Sequence, residues 1–249
     1  AITWLTLESR QVSIKFWAPK ILVLIVSKGL YSEAVTNATS GLYLACLALG
    51  LKKNDIVWTS SNSFVASSNA PKLIGCKIDF IDIDLKTYNI SIEDLEIKLI
   101  KTKNNKKLPK LIIPVHFAGL PSYQKKIKKL SNQYGFKILE DASHSLGANY
   151  NNEPVGSCKY SDISVFSFHP VKIITTGEGG MVTTNSKKIY NQLILLRNHG
   201  INRNPNKFLS KNHPKWYYEQ ISISLNFRMN DIQAALGISQ LKKLKKFVK

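Results

Sequence analysis

Along residues 36–184, short runs of β-branched and aromatic residues alternate with longer stretches whose apolar positions recur every three or four residues. The first pattern is that of strands, the second that of amphipathic helices. Leu42, Cys46 and Leu49 predict a helix over residues 39–49. Strands are predicted over 55–58 and 77–83, followed by a helix over 92–100 with Ser91 as N-cap and Asp94 at the capping-box position. A strand over 111–115 and a surface helix over 123–134, stopped by Gly135, come next. Further strands are predicted over 136–139, 163–168 and 181–184, and the apolar run 21–26 reads as another, far short of a membrane span. Near the end, Met229, Ile232, Ala235, Leu236 and Ser239 mark one packing face of a helix. Strand, helix, strand in this rhythm, without repeats or linkers, predicts an α/β fold with a mainly parallel sheet covered on both faces. In such sheets ligands collect beyond the carboxyl ends of the strands and at helix N-termini.

Composition narrows the classes. The chain has 249 residues, 44% hydrophobic, enough for one sizeable core. The formal charge of +19, from 35 Lys+Arg and 16 Asp+Glu, permits binding to nucleic acid or to a phosphorylated small molecule. The lysines, however, fall on predicted helix faces (Lys125, Lys126, Lys128, Lys129) and in a Lys/Asn-rich loop over 101–110, with no nucleic-acid motif beside them. A solvated basic surface is expected, with no specific nucleic-acid partner. Cys46, Cys76 and Cys158 are far apart and lack metal-ligand spacing, so neither disulfides nor zinc is expected and a reducing cytoplasm fits. No secretory signal and no membrane partner are read from the chain.

Three segments carry candidate chemistry. SFHPVKIITTGEGG (167–180) follows a predicted strand and puts Lys172 in a turn set by Pro170, between Val171 and Ile173. A lysine in apolar surroundings has a lowered pKa and can react with an aldehyde. An ordinary loop lysine would look the same. In LEDASHSLGA (139–148), Asp141 stands just past a buried strand, where it could cap a helix, bind a metal or pair with a cationic ring nitrogen. In TNATSGLYLACLALG (36–50), small hydroxylated residues open a helix, an arrangement suited to a phosphate or simply to a cap.

Together these segments resemble the DegT/DnrJ/EryC1/StrS family of sugar aminotransferases, of the fold-type I, aspartate-aminotransferase-like class. The phrases that carry the resemblance are ATSGLYLA, SNSFVASSNAP, VHFAGLP, LEDASHSLGA, DISVFSFHPVKIITTGEGGMVTTN, RNHG, WYYEQ and LNFRMNDIQAALGISQL, in order over 35–241. HPVKIITTGEGG points toward the branch that aminates C4 of a UDP-linked 4-keto-6-deoxy-N-acetylhexosamine on the route to pseudaminic acid. The resemblance implies pyridoxal 5′-phosphate as cofactor and L-glutamate as amino donor. It implies that Lys172 and Asp141 are catalytic, the first as the Schiff-base lysine and the second as partner of the pyridinium nitrogen. It gives His144 the cofactor's phenolic oxygen, Phe64 the face of the ring, and Ala38, Thr39 and Ser167 the phosphate. Asn226 would reach the phosphate of a partner subunit in a homodimer. Relatives that dehydrate carry His in place of Lys172, so transamination is expected.

Two stretches depart from the family. Residues 1–34 include SRQVSIKFWAPKILVLIVSKG (9–29), without an acid, where a Glu-rich amphipathic helix is expected, and Glu33 falls in what should be an apolar strand. At the other end, Lys249 comes before the family's small C-terminal domain, on the order of a hundred residues. The expected organisation is an atypical segment over 1–34 and a cofactor-binding large domain over 35–249, with the small domain absent. Three alternatives stay open: an inactive remnant, a non-catalytic basic binding protein on the same fold, and an enzyme acting on amino acids alone.

Overall fold

In the computed structural model, residues 29–104, 107–210 and 212–249 are described; the strand expected over 21–26 lies outside them. The central sheet contains β1 (Tyr31–Val35), β2 (Ile56–Ser60), β3 (Lys77–Ile81), β4 (Leu111–Ile113), β5 (Lys137–Asp141), β8 (Ile163–Ser167) and β9 (Gly180–Thr184). Its order is β1-β9-β8-β5-β4-β2-β3. Neighbours from β8 to β3 are parallel, whereas β9 runs antiparallel to both β1 and β8. Two-residue ladders form from β6 (Asn149–Tyr150) with β7 (Glu153–Pro154) and from β10 (Ile201–Asn202) with β11 (Glu219–Gln220).

Successive strand residues point to opposite faces, and the chain supplies an apolar residue for each. Val57, Ile113, Leu139, Val165 and Val182 face one core with helices α1 (Ala38–Ala48), α2 (Ala66–Leu73) and α5 (Lys187–Arg197). Their neighbours Trp58, Ile112 and Ile138 face α3 (Ile92–Asn104) and α4 (Gln124–Tyr134). Phe166 and Met181 face a third cluster with Leu241 of α6 (Asp231–Leu241) and Leu244 of α7 (Leu244–Phe247). Double-sided burial accounts for the short, continuous apolar strands.

Ser91 caps α3, with the Asp94 N–H donating to its Oγ at 3.1 Å, but the Ser91 N–H donates to Asp82 O at 2.8 Å instead of completing a capping box with Asp94; Gly135 ends α4 with φ +82°. Several features differ from the sequence reading. α3 continues to Asn104, so the start of the expected 101–110 loop is helical. α2 and α5 form without having been expected, and the sheet begins with β1 at Tyr31, the strand that the family resemblance placed around Glu33, upstream of the division placed before residue 35. Glu33 does occupy β1 and is buried, but Arg197 Nη1 at 2.5 Å neutralises it. The stripe read on α6 splits: Met229 packs inward, while Ile232, Ala235, Leu236 and Ser239 are exposed and Gly237 and Leu241 face the core.

Candidate active site

β1 ends at Val35, and the chain turns through Thr36 and Asn37 into α1. Asn37 Oδ1 accepts the Ser40 N–H at 2.8 Å, and Ser40 Oγ returns to the Asn37 N–H at 3.3 Å. This reciprocal cap fixes where the helix opens. The first turn has no acidic side chain, so the N–H groups of Ala38 and Thr39 keep the positive end of the helix dipole. Gly180 makes the approach of that turn to β8 and β9 feasible. A Cβ there would stand 2.8 Å from Ala38 N and 2.9 Å from Phe166 O.

Asp141 is the last residue of β5 rather than a residue just beyond it, and it is buried. Its Oδ2 accepts Ser67 Oγ–H at 2.6 Å, and its Oδ1 accepts Ser143 Oγ–H at 2.6 Å and the Ser143 N–H at 3.2 Å. Donors on both oxygens suit a carboxylate, which only accepts. Ser67 and Ser143 lie in the phrases SNSFVASS and DASHS, but nothing in their spacing along the chain joins either of them to Asp141.

Lys172 sits on the loop between β8 and β9. The loop closes on Phe168, whose N–H donates to Gly179 O at 2.9 Å and whose carbonyl accepts the Thr176 N–H at 2.9 Å. Phe168 and Ile174 anchor it in the core. Burial pushes the Lys172 amine below the ordinary lysine range, partly opposed by the Asp141 charge. Val171 is exposed, so the apolar surroundings come from the cavity rather than from both chain neighbours. His144 is held below the ordinary histidine range by burial and by the Lys172 cation, against the pull of Asp141. It is therefore a neutral ring near neutral pH.

One cavity of about 500 Å³ brings together Ala38, Thr39, Phe64, Asp141, His144, Ser167 and Lys172. That volume is in the range of cofactor sites. Asn37, Leu42 and His169 also line it, and the sequence reading gave none of them a place in the site. Phe64 is 71% exposed, free to cover a ring lying across the mouth. Asn226 is elsewhere: its backbone bridges Asn198, its Oδ1 accepts the Arg228 N–H at 3.2 Å, and it is exposed. A helix N-terminus at one side, a fixed carboxylate at another and an amine of lowered basicity fit a phosphorylated, cationic-ring aldehyde such as pyridoxal phosphate.

The comparisons with known proteins agree with this chemistry. The model of the DegT/DnrJ/EryC1/StrS aminotransferase family matches residues 27–249. The chain is 41% identical over 210 residues to the UDP-4-amino-4,6-dideoxy-N-acetyl-beta-L-altrosamine transaminase of Campylobacter jejuni, covering 84% of this chain and 52% of that protein. It is 35% identical over 218 residues to the GDP-perosamine synthase of Escherichia coli O157:H7, covering 88% of this chain and 55% of that protein. The solved structure of Helicobacter pylori PseC, an aminotransferase in the biosynthesis of pseudaminic acid, superimposes with a TM-score of 0.81 at 33% identity, over 94% of this chain and 58% of that one. The chain thus spans about half the length of the relatives it matches. With the family model matching residues 27–249, the chain belongs to the DegT/DnrJ/EryC1/StrS family of pyridoxal-phosphate-dependent aminotransferases.

Proposed function

We propose that this chain holds the cofactor-binding large domain, from β1 at Tyr31 onward, of an enzyme that transfers an amino group from L-glutamate to a nucleotide-linked 4-keto-6-deoxy sugar. The observation that carries the reading is the convergence of Asp141, Lys172 and the N-terminus of α1 on one cavity. The relatives named above supply the sugar class: one is a UDP-amino-sugar transaminase and one a GDP-perosamine synthase. The UDP-linked 4-keto-6-deoxy-N-acetylhexosamine is the favoured form, on the strength of the 41% identity.

Bound here, pyridoxal phosphate supplies an electron sink for the carbanion that amino transfer requires. Asp141, fixed by Ser67 and Ser143, would pair with the ring nitrogen and favour its protonated form. The N–H groups of Ala38 and Thr39, with Ser167 Oγ, would bind the phosphate. His144, being neutral, offers one ring N–H to the phenolic oxygen. Phe64 covers the ring face and excludes water. The Lys172 amine would be the group that holds the cofactor's aldehyde. Burial favours the uncharged Lys172 amine, which would be free to accept and return the proton that amino transfer moves. Donor and acceptor use the same lysine in turn, so ping-pong kinetics are expected.

We further assign the working form as a homodimer, with Asn226 lent to the partner's phosphate site. Its exposure away from its own cavity and the exposed Leu209, Ile223, Leu225 and Ile232 support that assignment. Free, buried Cys46, Cys76 and Cys158 fit the cytoplasm, and among the described residues no helix is long and apolar enough to cross a membrane.

Borohydride reduction of the chain with pyridoxal phosphate, followed by peptide mapping, tests the site. The pyridoxyl group is expected on Lys172 alone. An adduct on surface lysines with Lys172 unmodified overturns the reading.

A further inference from the structure

Behind Asp141 a histidine is fully buried that the amino transfer above does not use. His116 follows the end of β4. Its N–H donates to Asp141 O at 3.1 Å, and the Asp141 N–H donates to Pro114 O at 3.0 Å. The ring is held on both nitrogens. Nδ1 meets the Ser122 N–H at 3.2 Å and Ser122 Oγ at 3.1 Å. Nε2 meets the Gln124 amide at 3.1 Å and stands 3.9 Å from Glu140 Oε2. A backbone N–H can only donate, so Nδ1 is an acceptor and the neutral ring carries its proton on Nε2. The Gln124 amide, turned oxygen-first, accepts that proton.

The held ring bears on a short turn. Between His116 and Ser122 the chain makes one 3-10 turn, Phe117–Gly119, with Ala118 at φ +50°. That conformation is strained for a residue with a Cβ and persists where surrounding contacts enforce it. Buried Asn89, which follows the 84–88 turn, grips the same segment from the other side. Its Oδ1 accepts the Phe117 N–H at 2.9 Å, and its Nδ2 donates to Leu120 O at 3.0 Å. The segment meets His144 twice. The Phe117 ring stands edge-on to the His144 ring, with centroids 6.4 Å apart. Gly119 passes so close that a Cβ there would lie 3.0 Å from His144 O. One imidazole is thus tied through its backbone to Asp141 and through its turn to His144. An apolar side chain would fill the same space with no polar group to satisfy, whereas a fully paired polar one selects a single arrangement.

We propose that His116 is a positioning residue of the cofactor site, its doubly held ring fixing the 117–120 segment and, through it, how the Asp141 carboxylate and the His144 imidazole are set toward each other. The proposal rests on the functional reading above for what those two groups do. How they are held is read from the contacts of His116 alone. His116 touches neither cofactor nor substrate. It acts because groups that tune a cofactor work only within a narrow range of positions.

The test uses the full chain with isotope-labelled histidine, with and without pyridoxal phosphate. Nuclear magnetic resonance of the parent should show the His116 proton on Nε2; a proton on Nδ1 overturns the proposal. His116→Phe keeps the ring's bulk and removes both nitrogens. Gln124→Met leaves His116 in place and removes the nearest partner of Nε2. Without cofactor, both variants should move the His144 ring resonances and leave those of His199 and His213 unchanged. With cofactor, both should shift the visible band of the bound pyridoxal phosphate and slow the single-turnover reaction with L-glutamate by about tenfold or more. His116→Asn, which returns an acceptor to the Ser122 N–H, should fall between the parent and His116→Phe. A ring that merely fills the interior would lower the melting temperature of the variants without moving the His144 resonances or the cofactor band. Parental His144 resonances in Gln124→Met, and in His116→Phe where it folds, overturn the proposal. A parent chain that binds no pyridoxal phosphate would count against the functional reading instead, and the cofactor-free resonances still judge this one.

Discussion

Asp141 is held by two serine hydroxyls and one backbone N–H, and this network makes a substitution readable. Asn at the same position keeps the shape and one acceptor oxygen, its NH2 can donate to a serine hydroxyl turned to accept, and it brings no charge to hold a proton on a ring nitrogen. Asp141→Asn should therefore keep pyridoxal phosphate and lose the L-glutamate half-reaction by roughly a hundredfold or more, the scale of a lost acid–base contribution. Single-turnover spectra measure it, and an unchanged rate would remove Asp141 from the mechanism. Behind Asp141, Glu140 faces the other side of the sheet, where Ser164 Oγ donates to it and His116 Nε2 stands 3.9 Å away. Alternation along one strand thus separates a carboxylate available to the cavity from one committed to the interior.

Two contacts between elements decide how well the cavity is built. Gly180 lets α1 approach β8 and β9, and the atoms a Cβ would strike are backbone, not a flexible side chain. Gly180→Ala must then displace the first turn of α1. A loss of about 1–3 kcal/mol is expected, with weaker pyridoxal phosphate binding, measured by urea unfolding and cofactor titration. Binding at parental affinity would show that the α1 N-terminus holds no phosphate. The second contact is the pair of Glu33 on β1 and Arg197 on α5. Burial raises the Glu33 pKa above the ordinary carboxylate range despite the Arg197 charge and hydrogen bond. The folded state therefore holds this proton more tightly than the unfolded chain does. Stability attributable to Glu33 is fully present below the unfolded pKa of roughly 4.3 and is lost as pH rises through the higher folded value. Relative to Glu33→Gln, the parent should lose stability as pH rises through that window, as urea titrations across pH 4–8 would show. Arg197→Met leaves the carboxylate buried alone and should cost about 2–4 kcal/mol at neutral pH.

At the scale of the whole molecule, the exposed apolar residues gather late in the chain, with Ile223 90% and Ile232 83% exposed. Asn226 lies between them in sequence and takes no part in its own subunit's cavity. If the partner's cofactor is contacted by Asn226, cofactor binding must favour the dimer by linkage. Sedimentation should then show a larger dimer fraction with pyridoxal phosphate than without, and Asn226→Ala should weaken cofactor retention while leaving the Lys172 adduct intact. A monomer that binds the cofactor tightly would refute the shared site.

Much of the fold was legible along the chain because strands buried on both faces and helices buried on one leave distinct periods. The α1, α3, α4, β5, β8 and β9 regions were each found to within a few residues. β1 was expected only through the family resemblance and not from its own period, since Ser32 and Glu33 break its apolar run and only Arg197, brought back from α5, makes the charge tolerable. α2 was missed because Pro71 and a run of serines and asparagine hide its period. Lys172, Asp141 and the α1 opening stood out by residue type at strand ends and a helix start, but only the family resemblance gave them roles. That they share one cavity was not, because proximity in space carries no mark in local spacing. Ser67 and Ser143 on Asp141, and Asn89 between the turns carrying Tyr88 and Phe117, are of the same kind. Local sequence determined which elements form, since propensity, capping and burial period act within a few turns. Only the tertiary structure decided which polar groups meet, because strand order and side-chain direction arise from packing of the sheet as a whole.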